Sequence, residues 1–487
     1  MTKTSSGAIC KLPILLIVII SALDSADKAL LAASFPMLEK TLGLHVDTLG
    51  YFSLFTNLSY ALSLPLWGWL VHRYTVHRSH IILCASCFLW GVATLSISVS
   101  ESVPSQACFR SLNGAALASI MPLSQMMLTE LVVPSYHGRA FGVMGFLEKA
   151  AATISTSAVI WLDDWRTPYR IVGFMSIFMA FVSRSHLKMG RRRVDDKKKE
   201  EDDEEEQQQL YPKEEVEMSL LQIFHRVSQI PVFICLVAQG LFGASECQPE
   251  PNVHFFLLSF LSPLYVSVYK VPWDMMSFIL LLLEWKDFTR QQIISFQVSA
   301  GIFGTMGAFL GGVLGDYFAF LPRGRIYIAL ISVIGGTIFY GLFLFSNTYQ
   351  SAIFWYSLFH LWGGWTPAAT LRPICAKLAQ NASERAQIVA AWILLEKTSS
   401  AIFGAPLVGF LTKRLFDTTN NASDETLTNR EKADALAFNL FVLSTLFWGV
   451  CAYFFVLMAR TGATEGSMTP KRQSLGMKKL TRRISTV

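Results

Sequence analysis

Ionisable residues stand inside stretches of this sequence that are otherwise apolar, and such residues can bind a solute or carry a proton. Asp24, Asp27 and Lys28 all fall within the apolar stretch 12–33. A charge at the centre of a bilayer costs about 2.5–3.5 kcal/mol, so a helix bearing three will not turn them to lipid. Asp24 and Lys28 are four positions apart and can form an ion pair on one helix face. Two interpretations follow: a neutralised structural pair, or a protonatable or solute-binding group in a central cavity.

Later apolar stretches hold four more candidates for solute binding or proton coupling, namely Arg110, Glu148, Arg372 and Glu396. Arg110 precedes Gly114 by one helical turn, which suits a helix that approaches its neighbours closely. An arginine stays charged, so it can keep a carboxylate ionised or release it to protonation. Alternatively, Arg110 extends to the outer interface and is structural. Glu148 and Glu396 occupy equivalent positions in a repeated Leu-Glu-Lys string, which duplication alone could preserve for packing.

The sequence contains two copies of one unit in the same orientation. Short basic turns follow glycine-bearing apolar stretches in both copies, at Gly68 to Arg78 and again at Gly312 to Arg325. Arg139-Ala140 is echoed by Arg385-Ala386 at nearly the same distance downstream. Parallel repeats of this kind are one of the architectures of secondary transporters.

Composition predicts an integral membrane protein. The chain is 52% hydrophobic and 16% charged, whereas about a quarter of the residues of a soluble protein are charged. Apolar stretches of about 20 residues, the length that spans a bilayer, recur along it. We predict an all-α polytopic protein of about twelve transmembrane helices in two six-helix bundles. The bundles are placed at 1–187 and 229–460, with a charged cytosolic linker at 188–228 and a basic cytosolic tail at 461–487.

Several functional classes are excluded by what the sequence lacks. It contains no nucleophile–base motif, metal-ligand cluster or phosphate-binding loop, so we predict no enzyme, no metal and no cofactor. Its basic residues cluster at the ends of apolar stretches, which does not indicate nucleic-acid binding. Without an ATPase signature, any transport must be passive or driven by a gradient. The expected partners are the lipid bilayer, a small-molecule or lipid substrate and protons, and the chain is expected to be a monomer.

Basic residues also predict the orientation of the chain. They concentrate in the linker, in the tail and in the turns after the second and eighth spans, which places both termini in the cytosol by the positive-inside rule. Lys413 and Arg414 oppose this pattern weakly. On this topology the sequon at Asn421 faces the outside or a lumen and is a glycosylation candidate. The sequon at Asn381 faces the cytosol.

Residues 244–271 interrupt what would otherwise be one continuous seventh span. Gln239 to Gly243 would join directly to Pro272-Trp273 without this segment. The segment begins with a polar, proline-containing break and continues with an apolar run. Its codons are compatible with a splice-donor-like string and a pyrimidine-rich tract, so two hypotheses stay open: a retained intron or a genuine insertion.

The motifs in both copies resemble those of the major facilitator superfamily over nearly the whole chain. Gly312-x-Leu-Gly-Asp316 with Arg323-Gly-Arg325 resembles the loop motif of the family, and Arg110-Ser-Leu-Asn-Gly114 resembles its fourth-span arginine motif. Within the family the chain is most similar to the Spinster-like branch. The residues carrying that likeness are the acidic first span, Gln239 to Gly243 joined to Pro272-Trp273, and Trp365-Thr-Pro-Ala-Ala-Thr370.

The resemblance implies two bundles that rock about a central cavity, with Arg110 as a coupling residue. It also implies a cytosolic gate, for which the candidate residues are His72, Arg73, Arg78, Asp316, Arg323 and Arg325. His72 stands where the family has aspartate, which weakens the first copy of the gate and makes it sensitive to pH. Spinster-like proteins carry lysophospholipids or sphingoid lipids.

We therefore predict a secondary active transporter of a small organic or amphipathic solute, including the lysolipid and sphingoid classes, coupled to protons and working by alternating access. Ionisable residues buried in both copies favour this function. The alternative is a receptor or scaffold on the same fold that moves no solute.

Overall fold

The computed structural model describes most of the predicted membrane region and is helical throughout. The described residues are 11–74, 79–132, 137–186, 271–318, 321, 323–363, 394, 396–422 and 428–460, and no strand occurs among them. The linker and the tail lie outside these residues, as does the interrupting segment up to residue 270. The predicted all-α membrane fold is confirmed.

Seven helices form the first half of the chain. They are α1 (Lys11–Leu42), α2 (Val46–Tyr74), α3 (Ser79–Val99), α4 (Val103–Leu117), α5 (Ile120–Leu131), α6 (His137–Leu162) and α7 (Arg166–His186). α4 and α5 together form the fourth predicted span. Pro122 lacks the N–H that would bond to the carbonyl one turn earlier, and the helix breaks at residues 118–119.

The second half repeats this order in its described residues. It contains α8 (Val271–Met275), a 3₁₀ turn (Met276–Phe278), α9 (Ile279–Trp285), α10 (Arg290–Tyr317), α11 (Gly324–Leu344), α12 (Tyr349–Gly363), α13 (Ala405–Ala422) and α14 (Asn429–Arg460). Residues 396–403 are also helical and precede α13. Asn421 is next to the last residue of α13.

The boundaries of α1 correct the expectation from hydropathy. The first span was expected to end near residue 33, but α1 continues to Leu42 and includes Pro36. The extension carries Glu39 and Lys40. Because hydropathy registers only the apolar part of a helix, a polar end that projects beyond it resembles a loop in sequence.

The chain divides into two compact units. The first contains residues 1–222 together with 277–284 and 405–413, and the second contains residues 223–276, 285–404 and 414–487. Two short segments of the second half therefore belong with the first half. The first segment ends within α9, and the second is the first half of α13.

Corresponding helices pack on each other in the two halves. In the first, α2 packs on α4, while α3 packs on both α4 and α7. In the second, α10 packs on α12, while α11 packs on both α12 and α14. When the spans of each half are numbered from one to six, the packed pairs are second with fourth, third with fourth and third with sixth in both halves. A duplicated unit produces this pattern.

Glycine allows the closest of these helix crossings. A Cβ on Gly114 of α4 would lie 2.1 Å from the carbonyl oxygen of Thr56 on α2. A Cβ on Gly307 of α10 would lie 2.3 Å from the carbonyl oxygen of Leu361 on α12. Small residues at such positions let helix backbones touch, which is how helices associate in lipid.

Helix caps set the start of the two elements that carry Arg110 and Tyr169. Ser102 accepts a hydrogen bond from the backbone N–H of Ser105 at the start of α4. Asp164 caps α7 by accepting from the backbone N–H groups of Arg166 and Thr167 at 2.9 and 3.0 Å. Partial burial alone would raise the pKa of Asp164, but these bonds and one from the Thr167 hydroxyl hold it below its usual value.

Of the described helices, five contain a stretch long and apolar enough to cross a membrane by length and composition. These stretches are His80–Val99, Val143–Leu162, Arg290–Gly315, Gly324–Leu344 and Asn429–Val456. α1 has the length to span, but it carries the charges of Asp24, Asp27 and Lys28 inside its apolar part. Those charges need partners from the protein.

Replacing Gly114 by alanine is expected to destabilise the protein, because the new Cβ would overlap the Thr56 carbonyl. Overpacking of this kind costs about 1–3 kcal/mol. The effect is measured by heating the detergent-solubilised protein and detecting its unfolding by gel filtration. Gly145→Ala on α6 is the matched control, since nothing lies within 4 Å of its added Cβ. Equal melting temperatures for the two variants would contradict the close crossing.

Candidate solute and proton site in the first compact unit

Asp24 and Lys28 form the ion pair that their spacing predicts. The Lys28 ammonium nitrogen lies 2.7 Å from Oδ2 of Asp24, and the Lys28 side chain is 36% exposed. The same nitrogen lies 5.0 Å from the ring centroid of Tyr60 on α2. Asp24 is buried. The pair therefore has one buried end and one accessible end, as a site that exchanges a partner requires.

Glu148 joins this group from α6. Its Oε1 accepts a hydrogen bond of 2.6 Å from the hydroxyl of Ser21. Ser21, Asp24 and Lys28 follow helical spacing and share one face of α1, which packs along α6. Glu148 is half-buried. Two carboxylates and one ammonium thus meet between α1 and α6, and the group carries a net negative charge when both acids are ionised.

Asp27 lies in a different environment, although it is only one turn from Asp24. It is 4% exposed, and the described side chains that donate hydrogen bonds to its carboxylate are all neutral. Oδ2 accepts from Trp90 Nε1 at 2.8 Å and from the Thr94 hydroxyl at 2.7 Å. Oδ1 accepts from Asn113 Nδ2 at 3.1 Å. Asp27 is therefore oriented by α3 and α4, without a cation among its hydrogen-bond donors.

Arg110 is enclosed rather than placed at an interface. It is 2% exposed, so the alternative in which it extends to the outer interface is wrong. Its guanidinium donates to Gln106 Oε1 at 3.1 Å and to the Tyr169 hydroxyl at 3.0 Å. The rings of Phe52 and Tyr169 lie 5.1 and 5.5 Å from its central carbon. Nη2 is buried without a hydrogen-bond partner in the part of the chain that the structure describes, so its N–H groups are unsatisfied there.

The remaining site candidates fall in several places. Glu396 is half-buried in the helix at 396–403 of the second unit. His72 and Arg73 lie in the last turn of α2, and Asp316 is next to the last residue of α10. Arg323 adopts a left-handed backbone with φ of 70° at the turn before α11, and Arg325 lies in its first turn. Arg78 and Arg372 lie outside the described residues.

Sequence reasoning missed the neutral partners of the buried charges. Trp90 and Thr94 are one turn apart on α3, and Tyr169 begins the buried face of α7. The sequence did carry a signal for them, since polar side chains recur at helical spacing inside these apolar spans, as they do in the acidic first span. Such a signal identifies a polar helix face but not the helix that it contacts.

The second unit contains a cluster of aromatic side chains. The ring of Trp273 on α8 lies 5.3 Å from that of Phe359, 6.0 Å from His360 and 6.4 Å from Trp448. Trp273 and His360 are half-buried, while Phe359 and Trp448 are buried. The two half-buried rings present apolar surface and an imidazole.

Ion pairs join the ends of α1 and α2 to segments of the second half that belong to the first compact unit. Lys40 pairs with Glu284 of α9, and Asp47 pairs with Lys413 of α13 at 2.9 Å. The lysine belongs to the first half in one pair and to the second half in the other. Lys413, which opposed the orientation pattern, is therefore neutralised by Asp47.

Backbone contacts accompany these ion pairs. A Cβ on Gly50 would lie 2.8 Å from the Ala405 carbonyl oxygen, and one on Gly409 would lie 2.6 Å from that of Val46. The first turns of α2 and α13 thus run antiparallel in direct contact. We name this set of contacts, from Lys40 to Gly50 with Glu284 and 405–413, the end contact.

Metal chemistry finds no support in the described part of the chain, where no group of three histidine, cysteine or acidic side chains could hold an ion. Cys84 and Cys87 are buried in α3 and unpaired.

Comparison with known proteins adds a family and a set of similar folds. The family profile described as Major Facilitator Superfamily matches residues 17–405. The multidrug export protein EmrB of Haemophilus influenzae is 27% identical over 104 residues, and the match spans 21% of this chain and 20% of that protein. The chain therefore aligns with only a small part of this relative.

Solved transporter structures resemble the chain over nearly its full length. A bacterial homolog to the human lysosomal transporter Spinster, in an inward-facing and unoccupied conformation, matches with a TM-score of 0.70 and 15% identity, covering 94% of this chain and 98% of that one. The nucleoside transporter NupG matches with a TM-score of 0.61 and 10% identity, covering 90% of this chain and 98% of that one. A D-xylose-proton symporter matches with a TM-score of 0.59 and 12% identity, covering 92% of this chain and 96% of that one. At these identities the likeness shows the fold alone.

Arg110→Lys is expected to destabilise the protein although it keeps the charge. A lysine cannot reach Gln106 and Tyr169 together, so at least one bond to a charged donor, worth about 1.5–3 kcal/mol, is lost. Thermal unfolding in detergent measures the loss. Arg166→Lys is the matched control, because Arg166 pairs at 3.4 Å with Glu101, whose side chain is 80% exposed, and such pairs contribute about 0–1 kcal/mol. A melting temperature unchanged in Arg110→Lys would show that the enclosure contributes no stability.

Proposed function

This chain belongs to the major facilitator superfamily, and on that premise we propose that it is a proton-coupled secondary transporter of a small organic or amphipathic solute. The observation that carries the proposal is the ionisable cluster of α1 inside the first compact unit. Asp24 and Lys28 pair beside Glu148, while Asp27 is enclosed one turn away. Charges buried in a membrane helix are costly and typically mark solute or proton pathways.

The protein is an integral multi-pass membrane protein, as its family and its apolar helices establish. We place both termini in the cytosol, from the distribution of basic residues. This orientation puts the end contact on the outer or lumenal side, together with Asn421.

Lys28, Glu148 and Asp27 have different roles in this proposal. Lys28 is accessible and contacts both Asp24 and the Tyr60 ring, which suits a group that binds the charged part of a solute. Glu148 is half-buried and can compete for Lys28 or take up a proton. Asp27 is fully enclosed, so its charge state is controlled by the protein, which suits a coupling carboxylate.

Arg110 is proposed to couple proton binding to the change of state. Among the described residues its guanidinium has no carboxylate as a hydrogen-bond partner, and its Nη2 has no partner. A buried cation with a spare donor can bind a carboxylate in another conformation, in which α1 and α4 have shifted. Asn113, one turn further along α4, already contacts Asp27.

The basic turns at the cytosolic side are proposed to form the inner gate. Asp316 ends α10, and Arg323 and Arg325 begin α11 across a short turn. His72, Arg73 and Arg78 occupy the equivalent turn of the first copy. Glu396 and Arg372 are proposed solute or proton contacts of the second copy, by analogy with the first.

An amphipathic solute agrees with the side chains that each unit offers by itself. The ionisable cluster of the first unit suits a polar head group, and the aromatic cluster around Trp273 and His360 suits an apolar chain. The sequence motifs that resemble the Spinster-like branch favour the lysolipid and sphingoid classes. Transport by two bundles requires no catalytic residue, so no enzymatic activity is proposed.

The end contact supports alternating access. Its ion pairs are partly exposed, with side-chain exposures of 39% for Lys413 and 14% for Asp47. Pairs of this type contribute little individually, so they can open without a large barrier. The lysine comes from the first half in one pair and from the second half in the other. Sliding the helix ends past each other would bring like charges together, so the two pairs favour one alignment.

Proton coupling is tested by uptake into proteoliposomes with an imposed pH gradient, using a lysophospholipid, a sphingoid base, a nucleoside and D-xylose as candidate solutes. Asp27→Asn and Glu148→Gln are expected to lower gradient-driven uptake at least about tenfold, because neither side chain can bind and release a proton. Asp287→Asn and Glu101→Gln are the matched controls, since both residues are exposed and asparagine tolerates the left-handed φ of 58° at position 287.

Two results would reject this function. Uptake that ignores the pH gradient, and is equal in wild type and both variants, would remove proton coupling. A protein that binds one of these solutes and never moves it would instead favour a receptor.

Charge reversal tests the end contact. Asp47→Lys or Lys413→Asp alone is expected to lower uptake about fivefold, since losing an ion pair worth about 1 kcal/mol depletes one transport state. The double reversal should restore uptake to near the wild-type rate. Glu101→Lys with Arg166→Glu is the control pair and should leave uptake unchanged. No rescue in the Asp47–Lys413 double variant would show that the attraction between these residues does not matter.

A further inference from the structure

The hydroxyl of Thr94 lies within hydrogen-bond distance of three groups, one each on α1, α3 and α4. Its Oγ1 is 2.7 Å from Oδ2 of Asp27, 3.0 Å from the carbonyl oxygen of Trp90 and 2.9 Å from Nδ2 of Asn113. A hydroxyl has one proton to donate and two lone pairs to accept with. The three neighbours can therefore all be satisfied, but only in particular combinations.

With Asp27 ionised, one combination is complete. Thr94 donates its proton to Oδ2, Trp90 Nε1 donates to the same oxygen, and Asn113 donates both to Oδ1 and to Thr94. The carboxylate then receives three hydrogen bonds from neutral donors. No heavy atom needs to move to reach this arrangement, because it is the one described.

With Asp27 protonated on Oδ2, the roles at Thr94 reverse. The new carboxylic proton is donated to Thr94 Oγ1, and the Thr94 proton turns to the carbonyl oxygen of Trp90 at 3.0 Å. Oδ2 keeps a lone pair for Trp90 Nε1, and Thr94 still accepts from Asn113. The second arrangement is also complete, and it differs from the first by the carboxylic proton and a rotation about one C–O bond.

We propose that Thr94 is a hydroxyl switch that positions Asp27 in both its charged and its neutral form, so that the carboxyl group gains or loses a proton without rearranging the helices around it. The proposal rests on the proposed role of Asp27 in proton coupling. Thr94 is a positioning residue, since it acts on the proton through Asp27 and touches no solute.

Two other buried hydroxyls lack this arrangement among the described contacts. Thr156 on α6 donates to the carbonyl oxygen of Ala152, one turn earlier on its own helix, and Ser86 on α3 does the same to Ile82. Such local bonds are the usual way for a buried hydroxyl in a membrane helix to satisfy itself. Thr94 makes the local bond to Trp90 and in addition reaches α1 and α4.

Six helices of the first unit carry ionisable groups. These groups include Asp24 and Lys28 on α1, Tyr60 on α2, Cys87 on α3, Arg110 on α4, Glu148 on α6 and Tyr169 on α7. The hydrogen bonds of Lys28 go to Asp24, those of Glu148 to Ser21, and those of Arg110 to Gln106 and Tyr169. The donors in contact with Asp27 are neutral, so its proton affinity depends directly on these dipoles, including that of Thr94.

Infrared difference spectroscopy of the full chain in lipid, recorded as pH is stepped, tests the switch. The carbonyl band of protonated Asp27 is assigned by its absence in Asp27→Asn. Thr94→Val is expected to raise the pH midpoint of this band by about one unit, because the charged form loses a stronger hydrogen bond than the neutral form. The band should also move to the frequency of a carboxylic acid that donates no hydrogen bond.

Matched variants separate the switch from packing. Thr94→Ser keeps the hydroxyl and should retain the wild-type midpoint and frequency, and Thr156→Val should do the same. If Thr94→Val does not fold, the wild-type band decides alone: a frequency typical of an unbonded acid would overturn the switch. A midpoint unchanged in Thr94→Val would also overturn it. Absence of any Asp27 band in wild type would instead remove Asp27 as the proton site and, with it, the proposed coupling.

Discussion

Charge inside a hydrocarbon layer has to be compensated by the protein itself, and this constraint organises the first compact unit. α1 carries two carboxylates and an ammonium within its apolar part, and lipid offers them no partner. The helix divides them between two faces. On one, Asp24 is balanced by Lys28 beside Glu148. On the other, Asp27 is balanced by neutral donors of α3 and α4. The first face presents an ion pair whose lysine is accessible, while the second encloses a single carboxylate.

Close helix packing contributes to this compensation, because it brings short side chains such as Thr94 and Asn113 within hydrogen-bond distance of Asp27. Gly114 lets α4 contact α2, and it directly follows Asn113, which reaches Asp27. Gly91 and Gly173 bring α3 against α7 in the same way. Gly91 follows Trp90, a donor to Asp27, and Gly173 lies one turn from Tyr169, an acceptor for Arg110. The glycines of the crossings and the polar side chains of the network thus occupy the same helical turns.

Two kinds of polar contact in this molecule differ in how readily they can be exchanged. The bonds to Asp27 and Arg110 are enclosed, and breaking them leaves a buried charge without compensation. The ion pairs of the end contact are partly exposed, so water can replace either partner at little cost. The enclosed contacts hold the helices of the first unit together, whereas the partly exposed pairs can exchange their partners with water.

The sequence by itself determined the features that depend on local spacing and composition. Apolar stretches of membrane-spanning length predicted an all-α membrane protein, helical periodicity predicted the Asp24–Lys28 pair, and recurring motifs identified the family. It ended α1 too early, because the polar last turns of a helix are not distinguishable from a loop by hydropathy. Only the tertiary structure decided that Arg110 is enclosed by Phe52 and Tyr169, and that Asp27 is held by Trp90 and Thr94. The physical reason is that periodicity places a side chain on a face of its own helix, whereas its partner depends on which other helix approaches that face and at what depth. That approach is set by packing between residues far apart in the chain, for which no local pattern exists.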